Sequence, residues 1–321
     1  MSNSLHLELT NRCVLACPAC PRTTWRELTK MPLSKSDLDI DVLKKFLDCD
    51  GGQEIDTFVL CGDYGDCIYY PQLFEFIKEF RSSKKFIIST NGSNQTEKFW
   101  TTLKSLLIPG DKIIFGIDGL EDTNHLYRRN ANWASVMMGL DIMVQSTATV
   151  VWQTIVFSFN YNQLLTIKQF AESKGAEFLC LKTHRYEDST LIPPDDYIEL
   201  NHIIKDDYIN KNDFVIDPAC NQEKAVTADG YLFPCDWIRN PRTLYRSQLW
   251  KQKSRWIDKV DMRNTNYDQA VLVIQDWANY VRDNSIKGSP DVDVLCKMKC
   301  REGCRQEQQI FINHDYATGG P

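Results

Sequence analysis

Three cysteines near the start of the chain have the residue type and spacing for metal chemistry. Cys13, Cys17 and Cys20 follow a C-x3-C-x2-C pattern. A structural zinc site takes four ligands, and no further cysteine or histidine occurs before Cys49. Three thiolates on a four-iron cluster would leave one iron with an open position, as catalytic metal centres do. The spacing therefore favours an iron–sulfur cluster over a zinc site.

A second group of cysteines lies toward the other end of the sequence. Cys220 and Cys235 have the spacing C-x9-G-x4-C, which predicts a β-hairpin with its turn at Ala-Asp-Gly and a thiol at each end. Cys296, Cys300 and Cys304 are four residues apart in both steps and would share one face of a helix. Both arrangements can direct thiols at one metal.

The elements that must position these residues are short apolar runs that alternate with amphipathic stretches. Six strands are predicted, over residues 5–9, 55–61, 84–90, 111–118, 148–158 and 177–183. Five helical stretches join them, the first opening at Ser36, and a long helix is predicted over 266–283. The alternation predicts a parallel sheet with right-handed crossovers, and six strands fit an open or partial barrel. The first cysteine group follows the first strand, at the edge of the sheet where such folds bind ligands.

Length and charge limit the class of protein. With 321 residues we expect a barrel domain over 1–183, a bridging region over 184–213, a small cysteine-bearing domain over 214–310 and a tail over 311–321. The formal net charge is −6 without a basic run, so no nucleic-acid partner is expected. No apolar stretch of about 18 residues is present, so no membrane segment is expected.

The expected compartment determines how the cysteines are interpreted. The N-terminal sequence lacks a secretory signal, so we expect a cytoplasmic protein. The chain has 12 cysteines, and in a reducing compartment clustered cysteines indicate metal or redox chemistry rather than disulfides.

The first cysteine loop, preceded by Glu-Leu-Thr-Asn-Arg, resembles the signature of the radical S-adenosylmethionine enzymes, and the resemblance extends over about 5–183. It implies a partial (β/α)6 barrel. It also implies a 4Fe-4S cluster on Cys13, Cys17 and Cys20 whose open iron binds the amino and carboxylate groups of S-adenosylmethionine. In that family the cofactors supply a 5′-deoxyadenosyl radical, which abstracts a hydrogen atom from the substrate.

Segments after later strands are similar to further motifs of that family. Tyr64, Gly65 and Asp66 occupy its Gly-Gly-Glu positions, where the backbone binds the amine of S-adenosylmethionine. By the same resemblance, residues after the third and fourth strands are candidates for contacts to the ribose or the methionine carboxylate: Asn91, Asp118 and Arg128.

The chain also departs from the family pattern. Tyr64 replaces a glycine, Asp66 replaces a glutamate and Cys67 replaces a proline. Ala19 stands where the family usually has an aromatic residue near the adenine, so another residue would have to pack against the adenine.

The second cysteine group resembles the SPASM and twitch domains that follow the barrel in many of these enzymes. Those domains are α+β and bind auxiliary clusters, and a full SPASM domain needs seven or more cysteines for two of them. Five cysteines favour one auxiliary 4Fe-4S cluster, and a four-thiolate zinc site is the alternative. The predicted ligands are Cys220, Cys235, Cys296 and Cys300, with Cys304 as a substitute for either of the last two.

The resemblance leaves three hypotheses about the reaction. The first is modification of a peptide or protein side chain, of the kind that matures ribosomal peptides, with the auxiliary cluster assisting oxidation or positioning. The second is dehydrogenation or epimerisation of a small sugar or cyclitol. The third, from another class, is a non-catalytic zinc- or cluster-binding scaffold. Cys67 is the candidate hydrogen-atom donor for an epimerisation, and Gln153 and Lys182 are candidates to line the substrate space.

The expected partners follow from the same resemblance. An enzyme of this class needs a low-potential electron donor such as flavodoxin or ferredoxin. The first strand begins at about residue 5, so we expect no leader-recognition domain before it, and a separate peptide-recognition protein would serve a peptide substrate.

Overall fold

The computed structural model describes residues 3–23, 26, 33, 35–181, 191–192, 224–234 and 256–286. The chain divides into two compact units. The first takes its described residues from 3–13, 20–87, 224–234 and 256–286, and the second takes them from 14–19, 88–181 and 191–192.

All six predicted strands and all six predicted helices are confirmed within the described residues; most have shorter bounds than predicted, and the last helix extends to Ile286. The strands are β1 (Ser4–Leu7), β2 (Thr57–Leu60), β3 (Lys85–Thr90), β4 (Lys112–Gly116), β5 (Thr149–Ile155), β6 (Glu177–Leu181), β7 (Ala225–Val226) and β8 (Leu232–Phe233). The helices are α1 (Ile40–Phe46), α2 (Asp50–Glu54), α3 (Leu73–Phe80), α4 (Glu97–Leu106), α5 (Asn124–Tyr127), α6 (Trp133–Met143), α7 (Ser158–Tyr161), α8 (Leu164–Ser173) and α9 (Tyr267–Ile286). None of these helices combines the length and apolar character needed to cross a bilayer.

The first unit contains the strand order β3-β2-β1-β7-β8. Strands β1 and β2 pair in parallel, with Leu7 opposite Leu60. Strand β7 pairs in parallel with the other edge of β1, and β8 returns antiparallel beside β7. The predicted hairpin with its Ala-Asp-Gly turn is therefore confirmed, and its first strand extends the sheet that begins with β1.

The second unit contains the order β6-β5-β4-β3, and β3 runs across the boundary so that each unit includes part of it. The pairs β4–β5 and β5–β6 are parallel. The parallel sheet predicted from the alternation of strands and helices is thus confirmed. Because parallel strands direct their carboxyl ends to the same edge, the loops that follow them share that edge.

Polar side chains set the starts of the helices. Asp39 caps α1, and its carboxylate accepts hydrogen bonds from the amides of Asp41 and Val42 at 2.9 and 3.0 Å. The prediction that Ser36 opens this helix is wrong. Ser36 is instead held by Asn11, whose side-chain oxygen accepts from the Ser36 amide at 2.8 Å.

Aromatic clusters form the core of each unit. In the first unit Phe58, Phe76, Phe80 and Phe86 pack with ring centroids 5.0–6.2 Å apart, beside β2 and β3 and under α3. In the second unit Trp100 of α4 is fully buried, and the centroid of its ring lies 5.4 Å from that of Phe115.

Gly139 allows α6 to approach Trp100 closely. A Cβ added at Gly139 would lie 2.5 Å from an atom of the Trp100 ring. A buried indole cannot move aside without disturbing the aromatic cluster around it. The absence of a side chain at this position therefore sets the distance between α4 and α6.

We expect Gly139→Ala to destabilise the protein by about 1–3 kcal/mol through overpacking. Helix propensity alone would give the opposite sign, a gain of up to about 1 kcal/mol. Urea unfolding measures the difference, with Ala134→Ser on the exposed face of the same helix as a near-neutral control. A stabilised Gly139→Ala variant would contradict the packing argument.

Candidate active site

The turn after β2 in the first unit is held by a buried glutamate at the end of β1. The Glu8 carboxylate, 2% exposed, accepts hydrogen bonds from the backbone amides of Tyr64 and Gly65 at 2.6 and 3.1 Å. The Glu8 amide in turn donates to the carbonyl of Val226 in β7 at 2.9 Å. One residue thus joins three segments of this unit.

Two glycines let this turn lie directly on the end of β1. A Cβ at Gly65 would lie 1.9 Å from the carbonyl oxygen of Thr10, and a Cβ at Gly62 would lie 2.9 Å from the Glu8 carboxylate. The Asp66 amide completes the contact by donating to the Arg12 carbonyl at 2.9 Å. Gly65 is required for this close approach to the backbone of Thr10, and its predicted contact to S-adenosylmethionine stays a prediction.

The residues between Glu8 and the first cysteine anchor the cysteine loop to the start of α1. Arg12 makes a bidentate ion pair with Asp37, with nitrogen–oxygen distances of 3.0 and 2.6 Å. The Thr10 hydroxyl donates to the same carboxylate at 2.6 Å. Together with the contact of Asn11 to Ser36, these bonds give every polar residue of this run a structural role.

The third cysteine lies beside the turn. Cys20 Sγ is 3.7 Å from the carbonyl oxygen of Asp63. Two residues further along, Arg22 donates through Nη1 to the carbonyls of Asn11 and Tyr64, the latter at 3.1 Å. The end of the cysteine segment is therefore attached to the turn by a side chain as well as by chain connectivity.

Cys67 lies at the start of a short 3-10 helix, Cys67–Tyr69, that follows the turn and is capped by Asp66. Its side chain is 4% exposed. Burial raises the pKa of Cys67 well above the ordinary thiol value, and the neighbouring carboxylate of Asp66 raises it further. The S–H bond that a hydrogen-atom donor needs is thus retained at neutral pH, and the donor role stays a prediction.

In the second unit, Asn91 lies in the turn after β3. Its side-chain oxygen accepts from the Ser93 amide at 2.9 Å, and Gly92 adopts φ 70°. A Cβ at Gly92 would also lie 2.8 Å from the Phe115 ring. Asn91 is buried and shapes its own turn, which leaves its predicted cofactor contact untested.

Asp118 and Arg128 form a buried ion pair in the second unit. The Arg128 Nε lies 2.5 Å from Asp118 Oδ2, and the fully buried Asp118 also accepts from the Ile155 amide at 2.6 Å. Burial lowers the pKa of Arg128, but Asp118, with a further contribution from Cys17, raises it above the ordinary value. A Cβ at Gly116 would lie 2.5 Å from Arg128 Nη2, so the glycine makes room for the guanidinium.

The middle of the cysteine loop belongs to the second unit, whereas Cys13 and Cys20 belong to the first. The Ala16 amide donates to the Arg129 carbonyl at 3.0 Å, next to Arg128. Ala19 has φ 55°, a left-handed conformation that non-glycine residues rarely adopt. No three cysteine, histidine or carboxylate side chains within the described ranges form a group that could hold a metal, so the triad remains a prediction from spacing.

Several predicted residues lie outside the described part of the chain, and nothing is stated of their placement. They are Lys182, Cys220, Cys235, Cys296, Cys300 and Cys304. Gln153, the other candidate for the substrate space, lies on β5 and is half-buried.

Sequence reasoning missed Glu8 and Arg22. Glu8 belongs to the motif that precedes the cysteines, but a single acid in an alternating strand pattern predicts an exposed side chain. Arg22 follows the third cysteine by two residues, and its contacts depend on a turn more than forty residues away. In both cases the signal was proximity in sequence to the cysteine motif.

Glu8→Ala should leave the amides of Tyr64 and Gly65 without an acceptor and lower the free energy of unfolding by about 2–5 kcal/mol. Hydrogen exchange of these two amides should accelerate in the same variant. Glu54→Ala, an exposed acid in the same unit, is the matched control and should change stability by less than about 0.5 kcal/mol. Unchanged protection at residues 64 and 65 would contradict the role given to Glu8.

The buried thiol of Cys67 should react slowly with iodoacetamide because the thiolate is the reactive form. At pH 8 we expect its alkylation, followed by peptide mass spectrometry, to be about tenfold or more slower than that of the half-buried Cys49. The rate at Cys67 should rise steeply only at higher pH, in line with the raised pKa. Equal rates at the two cysteines would argue against this environment.

Comparison with solved structures gives the class of fold. SuiB from Streptococcus suis bound to S-adenosylmethionine is 11% identical with a TM-score of 0.52, over 78% of this chain and 65% of SuiB. For SuiB bound to its precursor peptide SuiA the TM-score is 0.54 at 11% identity, over 75% of this chain and 61% of SuiB. The protein anSMEcpe with bound AdoMet and the Cp18Cys peptide is 14% identical with a TM-score of 0.54, over 88% of this chain and 83% of anSMEcpe.

SuiB and anSMEcpe are radical S-adenosylmethionine enzymes. At these identities the likeness concerns the fold, and it confirms the predicted fold class, a mixed α/β structure with the parallel sheet of their partial barrels. The chain spans less than two thirds of the length of SuiB.

Comparison of sequences gives one curated relative of known name. A tungsten-containing aldehyde ferredoxin oxidoreductase cofactor-modifying protein from Pyrococcus furiosus is 28% identical over 118 residues, which are 36% of this chain and 31% of that protein. No family model matches the chain.

Proposed function

We propose that the chain is a radical S-adenosylmethionine enzyme that abstracts a hydrogen atom from a C–H bond of a peptide or protein side chain. The observation that carries the proposal is the C-x3-C-x2-C loop directly after β1, in a chain whose fold is that of SuiB bound to S-adenosylmethionine. Cys13, Cys17 and Cys20 would bind a 4Fe-4S cluster that leaves one iron for the cofactor.

The residues present fit these groups. None of the three cysteines forms a disulfide with another described cysteine, which is consistent with a role of their sulfur atoms as ligands. When bound, the cluster and S-adenosylmethionine supply the 5′-deoxyadenosyl radical, and the protein orients and shields it.

The turn after β2 is suited to an amine ligand because two of its backbone amides already have an acceptor. The amides of Tyr64 and Gly65 donate to Glu8. Backbone contacts from this turn to a ligand would therefore come from carbonyl oxygens, which accept hydrogen bonds from an ammonium group. The carbonyls of Tyr64 and Asp66 already accept from Arg22 and from the Tyr69 amide, and each oxygen can accept a second hydrogen bond. This supports the assignment of Tyr64, Gly65 and Asp66 to the amino end of S-adenosylmethionine.

The peptide substrate is supported by the bound molecules of the two similar structures. SuiB was solved with its precursor peptide SuiA and anSMEcpe with the Cp18Cys peptide. Cys220, Cys235, Cys296 and Cys300 would hold the auxiliary 4Fe-4S cluster, which would supply one-electron redox chemistry for an oxidation of the substrate. A flavodoxin or ferredoxin would supply the low-potential electron, and a separate protein would present the peptide.

Iron content tests both clusters at once. Anaerobically reconstituted protein should bind about eight irons, the content of two four-iron clusters, and should form 5′-deoxyadenosine with dithionite. Replacing Cys13, Cys17 and Cys20 by Ala should leave about four irons and abolish 5′-deoxyadenosine formation. The matched control is Cys49→Ala, which should leave the iron content and product formation unchanged.

The other outcomes are equally informative. About four irons in the wild type, all lost in the triple variant, would remove the auxiliary cluster but not the enzyme. Zinc in place of iron, with no 5′-deoxyadenosine, would overturn the proposal in favour of a metal-bearing scaffold.

A further inference from the structure

The first unit has a groove that involves none of the residues predicted from the family motifs. Its volume is about 690 Å³. It is lined by residues 36–39 and the first turn of α1, by the turn 228–231 between β7 and β8, and by residues 262–263. Ligand sites in proteins typically have volumes of about 300–1,000 Å³, so the groove is large enough to bind part of a substrate.

The groove lies at the edge of the sheet where parallel α/β folds bind ligands. Strand β7 runs parallel to β1, so the turn that follows β7 is at the carboxyl edge. The opposite wall is attached to the segment that follows β1, because the Leu38 amide donates to the Leu9 carbonyl at 2.8 Å. A ligand in the groove would therefore lie beside the chain segment that leads into the cysteine loop.

Two of the charged residues that line the groove already have a counter-charge. Asp37 pairs with Arg12 at 2.6 Å. Arg263 pairs with Asp261 at 2.7 Å and also donates to the Tyr231 hydroxyl at 3.2 Å. These groups hold the walls of the groove in place and leave its charge to the other residues.

The other two charged residues of the lining are acids with unused acceptor capacity. Asp39 uses Oδ1 for the amides at the start of α1, and its second carboxylate oxygen bonds to no described residue. Asp229 is exposed in the turn after β7 and makes no hydrogen bond or ion pair within the part of the chain that the structure describes. The lining therefore has an excess of negative charge.

The most deeply buried residues of the lining are apolar. Leu38, Ala228 and Met262 are 2%, 6% and 2% exposed. Lysine and arginine side chains bury an aliphatic stem against apolar surface while the cationic end group reaches an acceptor. Apolar residues together with two available carboxylates match that combination.

We propose that this groove binds a lysine or arginine side chain of the peptide on which the protein acts. The inference rests on the proposed function, in which the substrate is a peptide. Asp39 and Asp229 select for positive charge, because both repel an acidic side chain. The groove thus adds a preference for a basic residue to the recognition of the substrate.

The preference is tested with a peptide probe. A fluorescein-labelled nonapeptide of glycine and serine has lysine, arginine, norleucine or glutamate at its central position. Its dissociation constant from the cluster-loaded full chain is measured anaerobically by fluorescence anisotropy at low salt. We expect the lysine and arginine peptides to bind about fivefold more tightly than the norleucine peptide, and the glutamate peptide to bind most weakly.

Two substitutions remove the charge with little change of shape. Asp229→Asn should weaken binding of the lysine peptide about two- to fivefold, and Asp39→Asn, which retains a good helix cap, should have a similar effect. The double variant should bind the lysine and norleucine peptides equally. Asp48→Asn is the matched control, because Asp48 is an exposed aspartate of the same unit outside the groove, and its preference for lysine should equal that of the wild type.

Each other outcome has a defined meaning. Equal affinities of the wild type for the lysine and norleucine peptides would overturn the inference, as would an unchanged preference in the double variant. Loss of the preference with about 1 mM Mg²⁺ or Ca²⁺ would also overturn it, since the carboxylates would then hold a metal ion. Formation of 5′-deoxyadenosine tests the proposed function separately. A chain that shows the charge-dependent preference but forms none would support the groove as a site for basic peptides and refute the enzyme.

Discussion

The Glu8 carboxylate is the constraint on which the rest of the first unit depends. It lies at the end of β1, where the chain must leave the sheet and begin the cysteine loop, and it accepts the two amides that reverse the chain after β2. A buried carboxylate is costly unless it is fully hydrogen-bonded, and backbone amides stabilise it without a counter-charge. One side chain therefore ties the turn after β2 to the end of β1, where the cysteine loop begins.

In the second unit an ion pair holds the segment that follows β4. Asp118 follows β4 and holds the guanidinium of Arg128, and the missing side chain at Gly116 provides the room. Removing one partner of a buried pair of this kind is strongly destabilising, because it leaves an uncompensated buried charge. Because the Ala16 amide bonds to the carbonyl of Arg129, the middle of the cysteine loop is attached to the chain segment that carries this pair.

Most of the secondary structure could be predicted from the sequence, because the apolar periodicity of each strand and helix is local information. The start of α1 could not, since Ser36 and Asp39 are both good capping residues and only the packed structure shows that the Asp39 carboxylate accepts the first amides of the helix. The pairing of β7 with β1 could not be predicted either, because it joins segments that are distant in sequence.

In the candidate site, too, some residues could be predicted from the sequence and others could not. Family motifs singled out the cysteines, Gly65, Asp118 and Arg128 as separate candidates for cluster or cofactor contacts, and the ion pair between the last two was not predicted. Glu8 and Arg22 were not singled out, because their roles arise from the turn after β2. Spacing identifies residues that touch a cofactor directly in related proteins. Residues that hold those residues in place are visible only when the backbone hydrogen bonds are known.

The position of β7 beside β1 has a consequence for biosynthesis. Until residues 224–226 emerge from the ribosome, the amides of His6 and Glu8 lack the carbonyls to which they donate in the finished protein. At typical rates of translation that interval is roughly ten to forty seconds. During it one edge of β1 is unpaired, and an unpaired edge strand can pair with another chain.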